Sequence, residues 1–300
     1  MMIHRYALSC LFLLIASFPL SVHAFLVNEW QPIDTMTGEA PEAEPARPGR
    51  NWTEPYSEMS FVWIPGGCFK MGSPPRIEGR DADEGPVHDS CLSGFWMGRY
   101  EVTQGQWQRV MRHNPANFRK GEEYPVERVS WEDAESFVRK MNARYPGIYR
   151  FRLPTEAEWE YVCRNLGKRV RYAGGGDPDS MSWYAGNSGN FTQPVGTRTP
   201  NVLGVGDLSG NVWEWVVDAY EKDGYQTHKR NNPVVEKPSV YRALRGGGWV
   251  SPQKSLRCAN RGFEHFTTRR TDIGLRLVRV LHGQEDKPPS DRITDIRMIP

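Results

Sequence analysis

The sequence predicts an α+β domain with little regular secondary structure and many turns. Glycine and proline account for 29 and 23 of the 300 residues, and both interrupt helices and strands. Apolar residues alternate over short stretches, as in strands, whereas helical periodicity is limited to a few short segments. Aromatic residues make up 12% of the chain and include 11 tryptophans, so large flat side chains are expected to fill the core.

The first 24 residues have the organisation of a secretory signal peptide. Arg5 precedes an apolar run from Ala7 to Leu20, and Val22-His23-Ala24 supplies a small-x-small cleavage site. The run is shorter than the ~20 residues that a membrane span requires. We therefore expect export to the periplasm with cleavage of residues 1–24, and no transmembrane segment after cleavage; a retained anchor is the alternative.

Two polar segments flank the predicted domain, which covers residues 56–281. Residues 25–55 are rich in proline, glutamate and alanine and predict an arm or linker, and residues 282–300 form a polar tail. The 38 basic and 36 acidic residues nearly cancel, so no nucleic-acid partner is expected.

The elements follow from local patterns. The stretch "SFVWIPGGCFKMGS" predicts a hairpin with its turn at residues 65–67, and "CLSGFWMGRYEVT" predicts a further strand. Thr103 is expected to cap a short helix, and capping boxes at Ser130 and Thr155 predict two more. The last strands are predicted in "YRALRGGGW" and "DIGLRLVRV".

Cleavage of the signal peptide removes Cys10 and leaves four cysteines. An even number in an exported chain predicts two disulfides, for which three pairings are possible. Zinc binding is the alternative, but the sequence has no Cys-x-x-Cys and no histidine at ligand spacing. The four are Cys68, Cys91, Cys163 and Cys258.

Six blocks occur in order between Phe61 and Val280: "FVWIPGGCFKMGS", "GRYEVTQGQW", "RFRLPTEAEWEYVCR", "DLSGNVWEW", "RGGGW" and "GLRLVR". Together they resemble the sulfatase-modifying-factor family, whose founding activity is that of the formylglycine-generating enzyme. The resemblance implies the formylglycine-generating-enzyme fold, a turn-rich α+β domain related to C-type lectins. Members include oxidases, pigment-maturation proteins and proteins without known catalysis.

The resemblance also identifies a degenerate catalytic motif. In the catalytic members, Arg-Gly-Gly-Ser is followed by an aromatic residue and two cysteines that bind Cu(I). Here the serine position falls on Gly248 and the first cysteine position on Ser251, and the segment up to Arg257 is too short to supply the second cysteine. A hydroxyl does not hold Cu(I) as a thiolate does. We therefore expect no catalytic residues, no copper and no formylglycine-generating oxidase activity.

Disulfides and calcium are implied in the same way. The family joins the positions of Cys163 and Cys258, which leaves Cys68 to pair with Cys91. In the family the loop "DLSGNVWEW" binds Ca²⁺ through hard oxygen ligands, and a turn with solvated carboxylates is the alternative. The corresponding positions are Asp207, Gly210, Val212 and Glu214.

The peptide-binding cleft of the family is expected to involve Arg245, Trp249, Ser251 and Arg261. Arg261, with Arg269 and Arg270, is a candidate for binding an acidic partner, and ion pairing within the domain is the alternative. The histidines share no ligand spacing, so we assign them no catalytic role; they include His88, His113, His228 and His265.

We therefore predict an exported, non-catalytic member that binds a protein or peptide partner in the periplasm. One periplasmic branch of the family promotes the threonine-kinase cascade of type VI secretion, which makes the sensor domain of a membrane kinase a candidate partner. Two alternatives stand beside it. One is an oxidoreductase-type enzyme acting on a pyoverdine-like siderophore or a peptide, and the other is a calcium-stabilised module that binds the cell wall.

Overall fold

The structure, a computed structural model, describes residues 50–281. The predicted signal peptide, most of the arm and the polar tail lie outside these residues. The end of the predicted arm is an exception: Asn51–Thr53 form strand β1. This corrects the boundary of the arm at residue 55. Trp52 packs against Phe61 and Phe151, so the domain begins earlier than its polar composition predicted.

The largest sheet has five antiparallel strands in the order β1-β2-β5-β11-β6. One of its faces packs on the first core cluster, which contains Val62, Phe95 and Val278. Besides β1, this sheet contains β2 (Ser60–Ile64), β5 (Phe95–Gly98), β6 (Tyr149–Arg152) and β11 (Val278–Leu281).

Two smaller sheets complete the strands of residues 50–281. The four-stranded sheet has the order β10-β7-β8-β9, in which only the β7–β10 pair is parallel. The two-stranded sheet is the hairpin β3–β4. Their strands are β3 (Gly67–Met71), β4 (His88–Leu92), β7 (Trp213–Ala219), β8 (Tyr241–Arg245), β9 (Gly262–His265) and β10 (Ile273–Leu275).

Three predicted strand units differ from the structure. β2 and β3 are not the two arms of a hairpin, because β2 pairs with β1 and β5 whereas β3 pairs with β4. The stretches predicted as single strands at residues 91–103 and 272–280 are each divided between two sheets. Between β2 and β3 the chain runs so close to the end of β4 that a Cβ at Gly66 would lie 2.6 Å from the Leu92 carbonyl oxygen.

The predicted N-terminal caps are confirmed at three helices. The side chains of Thr103, Ser130 and Thr155 accept hydrogen bonds from backbone amides at 3.3, 3.2 and 3.1 Å. Each cap satisfies one of the amides that have no partner within the helix. The helices are α1 (Gln104–Met111), α2 (Trp131–Asn142), α3 (Glu156–Cys163) and α4 (Pro178–Met181).

Helix α3 lies in the interior of the domain, with all eight of its residues buried, including Glu156 and Glu160. Its last residue, Cys163, forms a disulfide with Cys258, and Cys68 forms one with Cys91 directly across the β3–β4 hairpin. Both predicted pairings are confirmed. No helix within residues 50–281 is long and apolar enough to cross a membrane.

Candidate functional site

The loop after β8 holds the degenerate motif. Gly246 and Gly247 have φ angles of 100° and 77°, a left-handed conformation that favours glycine. A Cβ at Gly247 would also lie 2.8 Å from the Leu256 side chain. The two glycines therefore turn the chain sharply out of the sheet and place the next residues beside the 207–214 loop.

Ser251 closes this turn. The Gly248 amide donates to Ser251 Oγ at 2.9 Å, and the Ser251 amide donates to the Gly248 carbonyl oxygen at 2.9 Å. Ser251 is buried, and a Cβ at Gly248 would lie 3.0 Å from the Asp272 carbonyl oxygen. Both residues at the degenerate positions therefore stabilise the loop.

Trp249 and Val250 are the residues of this loop that reach the surface, and Trp249 is half-buried. Its indole Nε1 donates to the Thr271 carbonyl oxygen at 2.9 Å, and its ring meets Phe118 edge-on at 5.4 Å. Phe118 in turn contacts Phe191 at 6.4 Å between ring centroids. Val250 is 49% exposed beside them. We call this set the Trp249 surface, formed by Phe118, Lys120, Phe191, Trp249 and Val250.

Arg245 and Arg261 lie in the interior, not in a cleft. Arg261 donates to both carboxylate oxygens of Glu156, at 2.9 and 2.7 Å, and Arg245 donates to Glu160 at 2.8 Å. All four side chains are shielded from solvent. This corrects the expectation that the two arginines bind a partner, because both guanidiniums are buried and ion-paired inside the domain. The signal in the sequence was the spacing of Glu156 and Glu160, one turn apart on a helix with apolar neighbours.

The other two candidate arginines are also paired. Arg269 donates to Asp133 at 2.8 and 3.0 Å. Arg270 bridges Glu264 and Asp272, at 2.7 and 2.6 Å. Of the two interpretations that the sequence left open for these arginines, the structure favours ion pairing within the domain.

The predicted calcium loop contains buried carboxylates. Glu214 Oε1 accepts from Arg276 at 2.7 Å, and Glu214 Oε2 accepts from Trp159 Nε1 at 2.8 Å. Asp207 Oδ2 accepts from the Gly196 amide at 2.7 Å. Glu101, which the sequence did not single out, accepts from the Val212 amide at 2.9 Å.

These groups fit calcium in part. Burial raises the pKa of Asp207 to about 6, and burial together with the charges of Asp207 and Glu214 raises the pKa of Glu101 well above its ordinary value. Such an excess of negative charge attracts a cation. The Glu214 oxygens, however, face the guanidinium of Arg276. Within residues 50–281, no three Asp, Glu, His or Cys side chains converge as metal ligands. Asp207 and the carbonyl oxygens of Gly210 and Val212 remain as candidate ligands, and calcium stays a prediction.

Two further polar groups are defined only by the fold: a contact between two histidines to which the sequence assigned no role, and a buried glutamate that it did not single out. His88 Nε2 lies 3.0 Å from His228 Nδ1, and burial lowers the pKa of His228 to about 4. Glu127 is buried, and its Oε1 accepts from the amide of Phe118 at 2.7 Å. Burial raises the pKa of Glu127 to about 7. Glu127 therefore fixes the segment that carries one ring of the Trp249 surface.

A turn-rich α+β scaffold, two disulfides and a glycine-rich loop beside a carboxylate-bearing loop define a domain of the formylglycine-generating-enzyme type. The chain belongs to the family of sulfatase-modifying factor enzyme 1-like domains, whose model matches residues 48–281. The predicted family and fold class are thereby confirmed.

Relatives of different kinds share this domain. The chaperone protein LppX of Paenibacillus barcinonensis is 34% identical over 269 residues, covering 73% of this chain and 89% of LppX. The serine/threonine-protein kinase Pkn1 of Chlamydia trachomatis is 31% identical over 73% of this chain, which corresponds to 38% of the kinase. The structure of PvdO from Pseudomonas aeruginosa is similar with a TM-score of 0.69 and 27% identity, covering 78% of this chain and 99% of PvdO.

Proposed function

We propose that this chain is an exported member of the family that recognises a protein or peptide partner and does not oxidise cysteine. The observation that carries the proposal is the role of Ser251. Its hydroxyl stands where the resemblance places a copper-binding thiolate, and it accepts the Gly248 amide at 2.9 Å. The residue is therefore used to shape a loop.

The sulfur chemistry of the domain supports the same proposal. Cu(I) prefers soft thiolate ligands, and a serine hydroxyl is a hard, protonated oxygen. The four cysteines between residues 50 and 281 are joined in the two disulfides, Cys68–Cys91 and Cys163–Cys258. A disulfide sulfur is not a thiolate, so these cysteines do not supply the missing copper ligands.

The Trp249 surface is the proposed recognition site. Two of its rings are held in place by hydrogen bonds, since the indole of Trp249 donates to Thr271 and the Phe118 amide donates to Glu127. Lys120 Nζ lies 3.9 Å from the Phe191 ring centroid and adds a positive charge. Rigid aromatic side chains with an exposed apolar neighbour are typical of residues that dominate the binding energy of protein interfaces.

The relatives support a protein partner. Pkn1 is named a protein kinase and LppX a chaperone, and both names describe action on other proteins. Two disulfides are typical of proteins outside the cytoplasm. In its finer form, the proposal is a periplasmic regulator that promotes threonine-kinase signalling of type VI secretion by binding the sensor domain of a membrane kinase.

The likeness to PvdO favours a second candidate function. It extends over 99% of PvdO. In that function the chain is an oxidoreductase-type enzyme on a pyoverdine-like siderophore precursor, and the Trp249 surface stacks a flat small molecule. The third candidate function is that of a calcium-stabilised module that binds the cell wall. It requires that the Asp207 loop bind calcium.

Affinity capture with surface variants tests the first proposal. Val250→Glu adds a charge to the Trp249 surface at a solvent-exposed position, and Val202→Glu, at a residue 72% exposed, is the matched control. Captured membrane and periplasmic proteins are quantified by mass spectrometry. A partner retained by the wild type and Val202→Glu but lost with Val250→Glu supports the proposal. A parallel assay with Cu(I) and a cysteine-containing sulfatase peptide is expected to give no oxidation, and turnover there would overturn it.

A further inference from the structure

The five-stranded sheet curls until its two edge strands approach each other. β1 and β6 are at opposite ends of the strand order, yet Trp52 of β1 lies 5.4 Å from Tyr149 of β6 between ring centroids. The face on which these two rings meet is therefore concave. The strand register places Trp63 and Trp96 on the same face, where their rings meet at 5.5 Å. We call it the concave aromatic face, formed by Trp52, Trp63, Trp96 and Tyr149.

Arg279 of β11 lies on this face and is enclosed by its rings. The guanidinium carbon is 3.9 Å from the centre of the Tyr149 ring, 4.2 Å from that of Trp52 and 5.2 Å from that of Trp96. The residue is only 3% exposed. Cation–π contacts of this kind stabilise a guanidinium but do not neutralise its charge.

Arg279 differs in one respect from the other buried arginines of residues 50–281. All five of those other arginines form ion pairs with glutamates, and Arg279 forms none within that part of the chain. Its Nε has no hydrogen-bond partner there. Because burial is not offset by a carboxylate, the pKa of Arg279 is lowered to about 10. The paired arginines are Arg164, Arg245, Arg257, Arg261 and Arg276.

The charge of the whole face matches that of Arg279. In the register from β1 to β6, the strand positions of this face hold no acidic residue. Glu54, just past β1, is buried, and its carboxylate already accepts hydrogen bonds within the domain. Arg50, which is exposed, lies opposite Trp63 through a backbone hydrogen bond of 2.9 Å and adds a second positive charge. A ligand that complements this face therefore carries a carboxylate together with apolar groups.

We propose that the concave aromatic face binds an acidic peptide segment of a partner protein, with a glutamate or aspartate of that segment on the Arg279 guanidinium. The bordering edge strand favours a peptide as the ligand. Arg50 bonds to Trp63 of β2, and Glu54 bonds to Met59 just before β2. The backbone groups of Asn51 and Thr53 therefore point away from β2 and can pair with an extended chain. Aromatic surfaces also bind proline-containing segments, which are extended before binding.

Two synthetic peptides test the proposal on the full mature chain: Ac-Thr-Pro-Glu-Val-Thr-NH₂ and its glutamine counterpart, which contain a proline and keep backbone amides that can pair with a strand edge. Binding is followed by tryptophan fluorescence and by the NMR signal of the Arg279 Nε–H group. The glutamate peptide is expected to bind about tenfold more tightly or better, since a hydrogen bond to a charged group is stronger than one to an amide. It is also expected to shift the Arg279 signal.

Variants separate this contact from general attraction. Arg279→Met is expected to abolish the preference for glutamate, and Arg150→Met, an exposed arginine whose register places it on the opposite face of β6, is expected to keep it. If Arg279→Met does not fold, the NMR signal of Arg279 in the wild type tests the contact: it should shift with the glutamate peptide and not with the glutamine peptide. Equal affinity for both peptides would overturn the proposal. So would a response to phosphatidylglycerol vesicles without a response to peptide. Val250→Glu should leave this binding unchanged, because the Trp249 surface shares no residue with the concave aromatic face.

Discussion

Glu156 holds the guanidinium of Arg261 with both carboxylate oxygens, at 2.9 and 2.7 Å, in the interior of the domain. The same carboxylate lies 3.3 Å from Arg245 Nη1. One acid on α3 therefore compensates two arginines that follow it by 89 and 105 residues. The helix, the end of β8 and the residues before β9 are joined through this single carboxylate.

Glu156→Gln is expected to destabilise the domain by about 3–5 kcal/mol, because buried Arg261 loses its carboxylate partner and Arg245 keeps only Glu160. The measurement is urea unfolding under non-reducing conditions. Glu58→Gln is the control, since Glu58 is exposed and pairs with Arg109 at the surface, and a cost below about 1 kcal/mol is expected there. Similar costs for both variants would contradict a central role for Glu156.

Removal of each disulfide should have a different cost. The Cys163–Cys258 bridge closes a separation of 95 residues and Cys68–Cys91 one of 23. In the entropic model the longer loop contributes ~1 kcal/mol more to the free energy of unfolding. Unfolding of the two double serine variants measures this difference. If removal of the Cys68–Cys91 bridge lowers the free energy of unfolding more, loop entropy does not determine the difference between the two disulfides.

The stability of the domain should depend on pH through Glu127, whose pKa burial raises to about 7. Because the folded pKa lies above the unfolded one, this contribution is complete below the unfolded pKa and is lost as pH rises through about 7. Glu127→Gln keeps an acceptor for the Phe118 amide and does not titrate. Relative to the wild type, the variant should therefore gain stability between about pH 5 and pH 8. A pH-independent difference between the two proteins would exclude this role.

Calcium is expected to raise the melting temperature, and chelation to lower it, if the Asp207 loop binds the ion. Extracellular calcium sites bind at about 10⁻⁴ to 10⁻³ M, so millimolar metal is required. Asp207→Asn should remove the sensitivity, whereas Glu214→Gln is a poor test because it also breaks the pair with Arg276. Asp89→Asn, at an exposed position, is the control. Identical melting curves of the wild type with calcium and with chelator would reject the site.

Ser251→Ala should lower stability by about 1–3 kcal/mol, because the buried Gly248 amide loses its acceptor. Partner capture by the folded variant should persist. Val250→Glu should show the reverse, with unchanged melting and lost capture. Lost capture with a folded Ser251→Ala protein would instead favour catalysis at this loop.

The parts of the fold that local chemistry decides could be predicted from the sequence. Thr103, Ser130 and Thr155 begin their helices because a side-chain oxygen satisfies a nearby amide, and this needs no remote partner. The pairing of strands could not be read in the same way. Whether β3 pairs with β2 or with β4 depends on competition between segments that are far apart in sequence.

In the candidate site, too, some features could be predicted from the sequence and others could not. Trp249, Ser251 and the disulfide partners were located from motif positions, and the structure brings Trp249 and Ser251 into one loop. The burial of Arg245 and Arg261 was missed because charged residues are usually exposed, and only the opposing Glu156 and Glu160 make their burial possible. The burial of Arg279 was missed because its surroundings are aromatic rings, and no acidic residue in the sequence marked it as a buried pair.

The two bridges also differ in when they can form. Cys68 and Cys91 face each other across one hairpin, so their thiols meet as soon as β3 and β4 pair. Cys163 and Cys258 must close a loop about four times longer, and in a flexible chain such an encounter is roughly eightfold rarer. During oxidative refolding, a species with only the hairpin bridge should therefore accumulate first. Its remaining thiols form the second bridge once the segments that carry Cys163 and Cys258 have packed together. Formation of the second disulfide therefore reports this long-range packing step.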